Sequence, residues 1–213
     1  MLENYTKLPN GVIKQIQIKK KKQYDQDYIK TRYNTYKEKG MQMAFLRLGY
    51  LISSINKIPE SVLDVGYGNG DFLKACSTII KNCYGNDISG YQIPDGCTFV
   101  EDIFSKKYEV ITFYDVLEHF EDINFVKDLK TDYIVISVPW CHYISDNWFK
   151  NWKHRREDEH LYHFDHKSIV NFFKENNFEL INLTNVEDSI RKNESEESNI
   201  LTCVFKNNNI FTK

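Results

Sequence analysis

Beyond Pro59 the chain breaks into seven short apolar runs, and this rhythm constrains its fold more than any other feature. The runs are V-L-D-V (62–65), N-C-Y-G-N-D (82–87), C-T-F-V-E-D (97–102), Y-E-V-I-T-F-Y (108–114), Y-I-V-I-S-V (133–138), F-E-L-I-N-L-T (178–184) and N-I-L-T-C-V-F (199–205). Each has the length of a strand, and helical patterns fill the gaps at 70–80, 119–129 and 166–176. Strands alternating with helices build a largely parallel sheet covered on both faces, so the fold class is α/β. The link 185–198 is polar and charged, without a helical stripe, which predicts a hairpin with a long loop between the last two strands.

Ahead of Pro59 the period is helical. Tyr24, Tyr28, Tyr33 and Tyr36 predict a helix over 24–39, Gly40 is its expected stop, and Met43, Leu46, Leu48, Leu51, Ile52 and Ile55 predict a second over 41–56. We expect a basic helical extension or cap over 1–58 and one globular unit over 59–213. Residues 140–165 carry neither period, and so long a connection in a compact domain marks a functional or mobile segment.

The first apolar run leads into D-V-G-Y-G-N-G-D (64–71) and then a helix. Glycines are needed where a chain turns sharply and must pass within contact distance of a ligand. The dinucleotide fingerprint would need glycine at position 71, which is Asp71, and no G-K-[ST] triphosphate loop occurs. A carboxylate at a helix start repels a pyrophosphate. Further acids, Asp87 and Asp102, end the second and third runs, and with Asp64 they come to the carboxyl edge of the sheet, where open α/β sheets bind ligands. Three carboxylates without a nearby Lys or Arg suit a cationic, phosphate-free nucleoside.

In order along the chain, D-V-G-Y-G-N-G-D, N-D-I, E-D-I-F, F-Y-D-V-L-E-H-F and I-S-V-P-W resemble successive motifs of the class I S-adenosylmethionine-dependent methyltransferases, in particular the small-molecule branch with a D-V-L-E-H segment. The resemblance covers residues 61–183 and implies a Rossmann-like seven-stranded sheet of order 3-2-1-4-5-7-6 with an antiparallel last strand. It implies S-adenosylmethionine as cofactor and S-adenosylhomocysteine as product. Carried onto this sequence, it gives Asp64, Gly66, Tyr67, Gly68 and Gly70 to the methionine end, Asp87 to the ribose and Ile88 to an adenine face. Asp102 and Ile103 go to the adenine edge, and Tyr114 and Asp115 flank the sulfonium, a cation favoured by carboxylates and aromatic faces.

Trp140, Trp148 and Trp152 fall in W-C-H-Y-I-S-D-N-W-F-K-N-W after the fifth run, where the resemblance places the acceptor. They read equally as an acceptor pocket that excludes water and as a satellite core under a long loop. A hydroxyl or amine acceptor is served by a base near neutrality, which points to His142 and His163. His119 is given a structural role. The spacing H-x-x-H-x-x-H at 160–166 suits a helix start, and no metal is assigned to it.

The expected acceptor is an O or N nucleophile of a small molecule, sugar or lipid-linked precursor. The alternatives are an RNA, reached through the basic head, or cofactor binding without transfer. Residues 1–60 carry twelve Lys and Arg against five Asp and Glu, although K-K-K-K at 19–22 also reads as a solvated face. The place after strand four reads Y-D-V-L rather than the [DNS]-P-P-[YF] of amino-methylating DNA enzymes. The five cysteines contain no C-x-x-C pair and predict reduced thiols. No apolar stretch reaches the length of a membrane span, and the N-terminus lacks a signal-like segment, so a cytoplasmic location is expected.

Overall fold

The computed structural model describes residues 3–20, 25, 37–191 and 197–209. Its main sheet contains β3 (Ser61–Val65), β4 (Asn82–Asn86), β5 (Cys97–Phe99), β6 (Tyr108–Tyr114), β7 (Thr131–Pro139), β9 (Phe178–Thr184) and β10 (Ile200–Asn207). The order is β5-β4-β3-β6-β7-β10-β9. Six strands share one direction, and β10 lies antiparallel between β7 and β9. The expected seven-stranded order and terminal hairpin are both present.

Alternation along the central strands divides the core in two. Leu63, Val65, Ile111, Phe113, Ile134, Ile136 and Val138 face one side, where they meet Ile169, Phe172 and Phe173 of α4 (His166–Glu175). Val62, Val110, Val135 and Val204 face the other, against α1 (Lys37–Ile55) and α2 (Asp71–Cys76) through Ala44, Leu48, Leu51, Phe72 and Leu73. α4 starts at a capping box: Asp165 accepts from the Lys167 and Ser168 amides, and its own amide donates to the Ser168 hydroxyl.

Two expectations change, and a third lies outside what is described. Gly40 does not stop a helix; it lies inside α1, where a Cβ would stand 2.2 Å from the Asp71 carboxylate, so glycine is what lets α1 cross the start of α2. The expected helix over 24–39 falls almost wholly outside the described residues. Instead of a helix over 119–129 there are two 3-10 turns, Leu117–His119 and Asn124–Asp128. The buried residues there, Ile123, Val126 and Leu129, repeat every third position, the period of a 3-10 turn, and Asp122 accepts from the Asn124 amide at 2.9 Å.

Where described, the first twenty residues form two short strands joined and followed by turns, not a helix. β1 (Tyr5–Lys7), β2 (Ile13–Gln15) and β8 (Tyr162–His163) make a small antiparallel sheet. It is joined to the main sheet where Trp140 bridges to Phe164 and the Cys141 amide donates to the Phe164 carbonyl at 2.8 Å. Residues 140–165 also include a short helix, α3 (Asp146–Asn151), whose cap Ser145 accepts from the Trp148 amide. Among the described residues no helix is long and apolar enough to cross a membrane.

Candidate active site

The carboxyl ends of β3, β4 and β6 meet at the glycine loop. Gly66, Gly68 and Gly70 all adopt positive φ (73°, 57° and 78°), which L side chains resist. A Cβ on Gly66 would stand 2.4 Å from the Val116 side chain, and one on Gly70 2.4 Å from the Pro94 ring. Asp87 shapes the loop directly, since its two oxygens accept from the Gly68 amide at 2.8 Å and the Ser89 amide at 2.7 Å. Tyr67 packs under the loop and donates its hydroxyl to the Tyr91 carbonyl. Ile88 is 81% exposed beside it. Asp102, at the β5 side, caps a turn by accepting from the Phe104 amide, and Ile103 packs at the core margin.

Asp64 is only 3% exposed and accepts from the Thr112 hydroxyl at 2.7 Å. Burial pushes its carboxyl up to about 7, although the Thr112 hydrogen bond and Arg47 both pull it down. Tyr114 is buried, and its hydroxyl lacks a hydrogen-bond partner among the described residues. The guanidinium of Arg47, from α1, lies over the Tyr114 ring at 4.1 Å. Asp115, held at φ 57°, accepts from Arg47 at 3.3 Å and from Arg191. Burial alone would raise the Asp115 carboxyl, but Arg191 and Arg47 hold it well below the usual carboxylate range.

Both arginines also grip Glu187, which is fully buried. It accepts from Arg47 at 2.8 and 3.0 Å, from Arg191 Nε at 2.9 Å and from the Ser137 hydroxyl at 2.6 Å. Despite its burial, the arginines keep its carboxyl below the ordinary value. Sequence reasoning missed this network, although Glu187 and Arg191 stand four residues apart, the spacing of a helical ion pair.

A second group lies one turn beyond Asp115. Glu118 is 1% exposed, and neither carboxylate oxygen has a hydrogen-bond partner among the described residues. Leu161 donates its amide to the Glu118 carbonyl at 2.7 Å, which draws His160 alongside, and the His119 and His160 rings meet edge to face at 4.7 Å. Burial raises the Glu118 carboxyl well above its usual value, lowers His119 and pushes His160 down to about 2.

The acceptor-side candidates separate. Trp148 and Trp152 stack at 5.4 Å and, with Tyr143, pack against Tyr5, Ile13, Cys141 and Phe149 as a satellite core. Trp140 stands apart, stacked on His142 at 5.1 Å, and His142 Nε2 is 2.8 Å from the Ser198 carbonyl. His163 is 3% exposed on β8, among the rings of Tyr5, Phe149 and Trp152 at 5.0–5.8 Å, and burial pushes its imidazole down to about 3. His166 is exposed and lies 6.0 Å from the Trp140 ring, so the three histidines at 160, 163 and 166 do not converge.

The fold is a Rossmann-like methyltransferase fold, and the glycine loop with its buried acid and its aromatic face fits a cationic nucleoside. The sequence profile of the family described as a methyltransferase domain matches residues 33–183. The chain belongs to this family of class I enzymes, whose cofactor is S-adenosylmethionine. Among curated proteins there is no sequence match. Similar solved structures include magnesium protoporphyrin IX methyltransferase from Synechocystis PCC 6803 with bound S-adenosylhomocysteine (TM-score 0.61, 14% identity, 86% of this chain and 96% of that one). They include an S-adenosylmethionine-dependent methyltransferase from Clostridium acetobutylicum (0.59, 12%, 86% and 99%) and the plantazolicin methyltransferase BpumL with S-adenosylhomocysteine (0.56, 14%, 86% and 91%). At these identities the likeness speaks for the fold.

Proposed function

We propose that this enzyme methylates an oxygen or nitrogen nucleophile of a small molecule, sugar or lipid-linked precursor. The observation that carries the reading is the cation-accepting edge: a buried Asp64 beside three positive-φ glycines, next to a Tyr114 face on which a guanidinium already rests. When bound, S-adenosylmethionine supplies an electrophilic methyl on a sulfonium sulfur. In the proposed placement Asp64 and the Gly66–Gly70 backbone hold the methionine end, Asp87 and Ile88 the ribose and adenine face, Asp102 and Ile103 the adenine edge, and Tyr114 and Asp115 the charged centre. Asp87 keeps its loop-capping bonds while its remaining lone pairs accept from a ribose diol.

For the acceptor, His142 and Trp140 at the end of β7 are the better-placed of the sequence candidates. His163 is reassigned to the scaffold, because a base must reach its proton within hydrogen-bond distance and this ring is packed among aromatics. The described start of the basic head is tethered mainly through its backbone, with the Lys19 side chain largely in solvent. The Lys19 and Lys20 amides both donate to Asp158 at 3.0 Å, and Lys19 Nζ lies 3.6 Å from Glu157. Two of the similar enzymes are named for magnesium protoporphyrin IX and plantazolicin, which supports acceptors of that size. Residues 1–58 act in this proposal as a cap over the acceptor end, and the unpaired state of all five cysteines supports a cytoplasmic location.

Isothermal titration with S-adenosylmethionine, followed by radiolabelled methyl transfer to fractionated small-molecule and RNA extracts, tests the reading. Label entering small-molecule fractions is expected. Label confined to RNA, with salt-sensitive affinity, overturns the acceptor class, and failure to bind at millimolar cofactor overturns the placement.

A further inference from the structure

We propose that Glu118, His119 and His160 form a binding site for one divalent transition-metal ion of the zinc class, with two imidazole nitrogens and one carboxylate as ligands. Three observations carry it. First, the candidate donor atoms of these residues all lie within 4.8 Å of one another. Around a tetrahedral ion with bonds of about 2.0–2.2 Å, ligand atoms stand about 3.3–3.6 Å apart. Rotation of the side chains closes the set.

Second, the Glu118 carboxyl is removed from water and neither of its oxygens has a hydrogen-bond partner among the described residues. A buried carboxyl group is ordinarily paired, hydrogen-bonded or metal-bound. Arg47 and Arg191 are committed nearby to Asp115 and Glu187, and the ion-pair contact of Glu118 is with His119, whose Nε2 lies 4.0 Å from its Oε1. Third, both imidazoles are oriented as ligands are. His119 Nδ1 is 2.7 Å from the Glu159 carbonyl and His160 Nδ1 is 2.8 Å from the His154 carbonyl. A carbonyl oxygen only accepts, so each Nδ1 carries the proton and each neutral ring keeps its lone pair on Nε2. An Nδ1–H donated to a backbone carbonyl is the usual outer support of a metal-bound histidine.

The donor set selects the ion. Imidazole nitrogen suits zinc and its first-row neighbours, whereas calcium and magnesium prefer oxygen donors. Three protein ligands leave at least one position for water or another oxygen ligand, the arrangement of a reactive rather than a purely structural site. The site lies four residues along the chain from Tyr114 and is built by residues that the cofactor reading leaves unused.

The test uses the full chain, stripped with chelator and titrated with Zn²⁺ by calorimetry, with bound metal counted by elemental mass spectrometry. One ion per chain at micromolar affinity or tighter is expected. Glu118→Gln and His160→Ala, checked for folding by circular dichroism, should each weaken binding tenfold or more, and His166→Ala should not. On the unmutated protein loaded with Co²⁺, proton NMR should show two exchangeable, paramagnetically shifted Nδ1–H signals, one per ligated imidazole. Absence of binding at millimolar Zn²⁺ overturns the proposal, as does binding that survives both ligand variants in folded protein, or a cobalt spectrum without two such signals. None of these readouts involves S-adenosylmethionine, so their failure leaves the methyltransferase reading standing.

Discussion

The glycine-loop edge proposed for the cofactor and the region proposed for the acceptor are built by opposite means. Along the cofactor edge each polar residue sits at or just beyond the end of its own strand: Asp64 and the glycines with β3, Asp87 after β4, Tyr114 and Asp115 with β6. The second region is assembled from segments far apart in sequence: β1 and β2 pair with β8 and Glu118 meets His160, while Arg47 and Arg191, joined over Glu187, tie it to Asp115 of the first. The first region is held by local backbone geometry and the second by buried polar contacts across the fold. Substitutions should therefore hurt ligand binding in one and global stability in the other.

The largest effect is expected at Glu187. Glu187→Gln leaves two largely buried guanidinium groups short of a counter-charge, which should cost about 3–5 kcal/mol in urea unfolding. A loss below about 1 kcal/mol would break the contrast. Next comes Asp64→Asn, which should weaken S-adenosylmethionine binding about 10²-fold, at the upper range of a charge-assisted contact, while leaving the folded state intact by circular dichroism.

A pH series sharpens the same point. The folded, ligand-free Asp64 keeps its proton until about pH 7, against an ordinary value of 3.8. Its contribution to fold stability is fully present below the ordinary value and lost as pH rises through about 7. A cation beside it prefers the ionised form, so cofactor affinity should run the other way: below pH 7 it weakens by up to about tenfold per unit, and above it levels off. A flat profile would exclude Asp64 from the charged end of the site, and Asp64→Asn should flatten the profile that is found. The smallest effect is expected for His163→Phe, which preserves an aromatic ring of similar shape and should change stability by less than about 1.5 kcal/mol and turnover less than twofold. A 10²-fold fall in turnover would return His163 to the chemistry.

The same contrast explains what was legible in the sequence. Strand periodicity exposes Val62–Val65, Val110–Phe113 and Tyr133–Val138 as buried on both faces, and the glycine spacing carries its own conformational requirement, so sheet order and the positive-φ loop are both readable. Glu118 stood inside the quoted D-V-L-E-H segment, yet nothing local says that its side chain is buried or that His160 will lie beside it. The three tryptophans look like one cluster in sequence, but the bridge of Trp140 to Phe164 pulls it away from Trp148 and Trp152. The hairpin at residues 5–15 is too short for a period to register, and its partner strand is two residues long.

Arg47 gives the site a property of its own. Its guanidinium already neutralises the acidic edge, lying on the Tyr114 ring and against Asp115. On the proposed placement, cofactor binding is then an exchange of one cation for another in a partly buried setting, rather than the charging of an exposed acidic surface. Few mobile counter-ions take part, so affinity measured between 50 mM and 500 mM salt should vary by less than about threefold. Arg47→Met should replace that indifference with a marked loss of affinity as salt rises, because dissolved cations would then compete for the same seat.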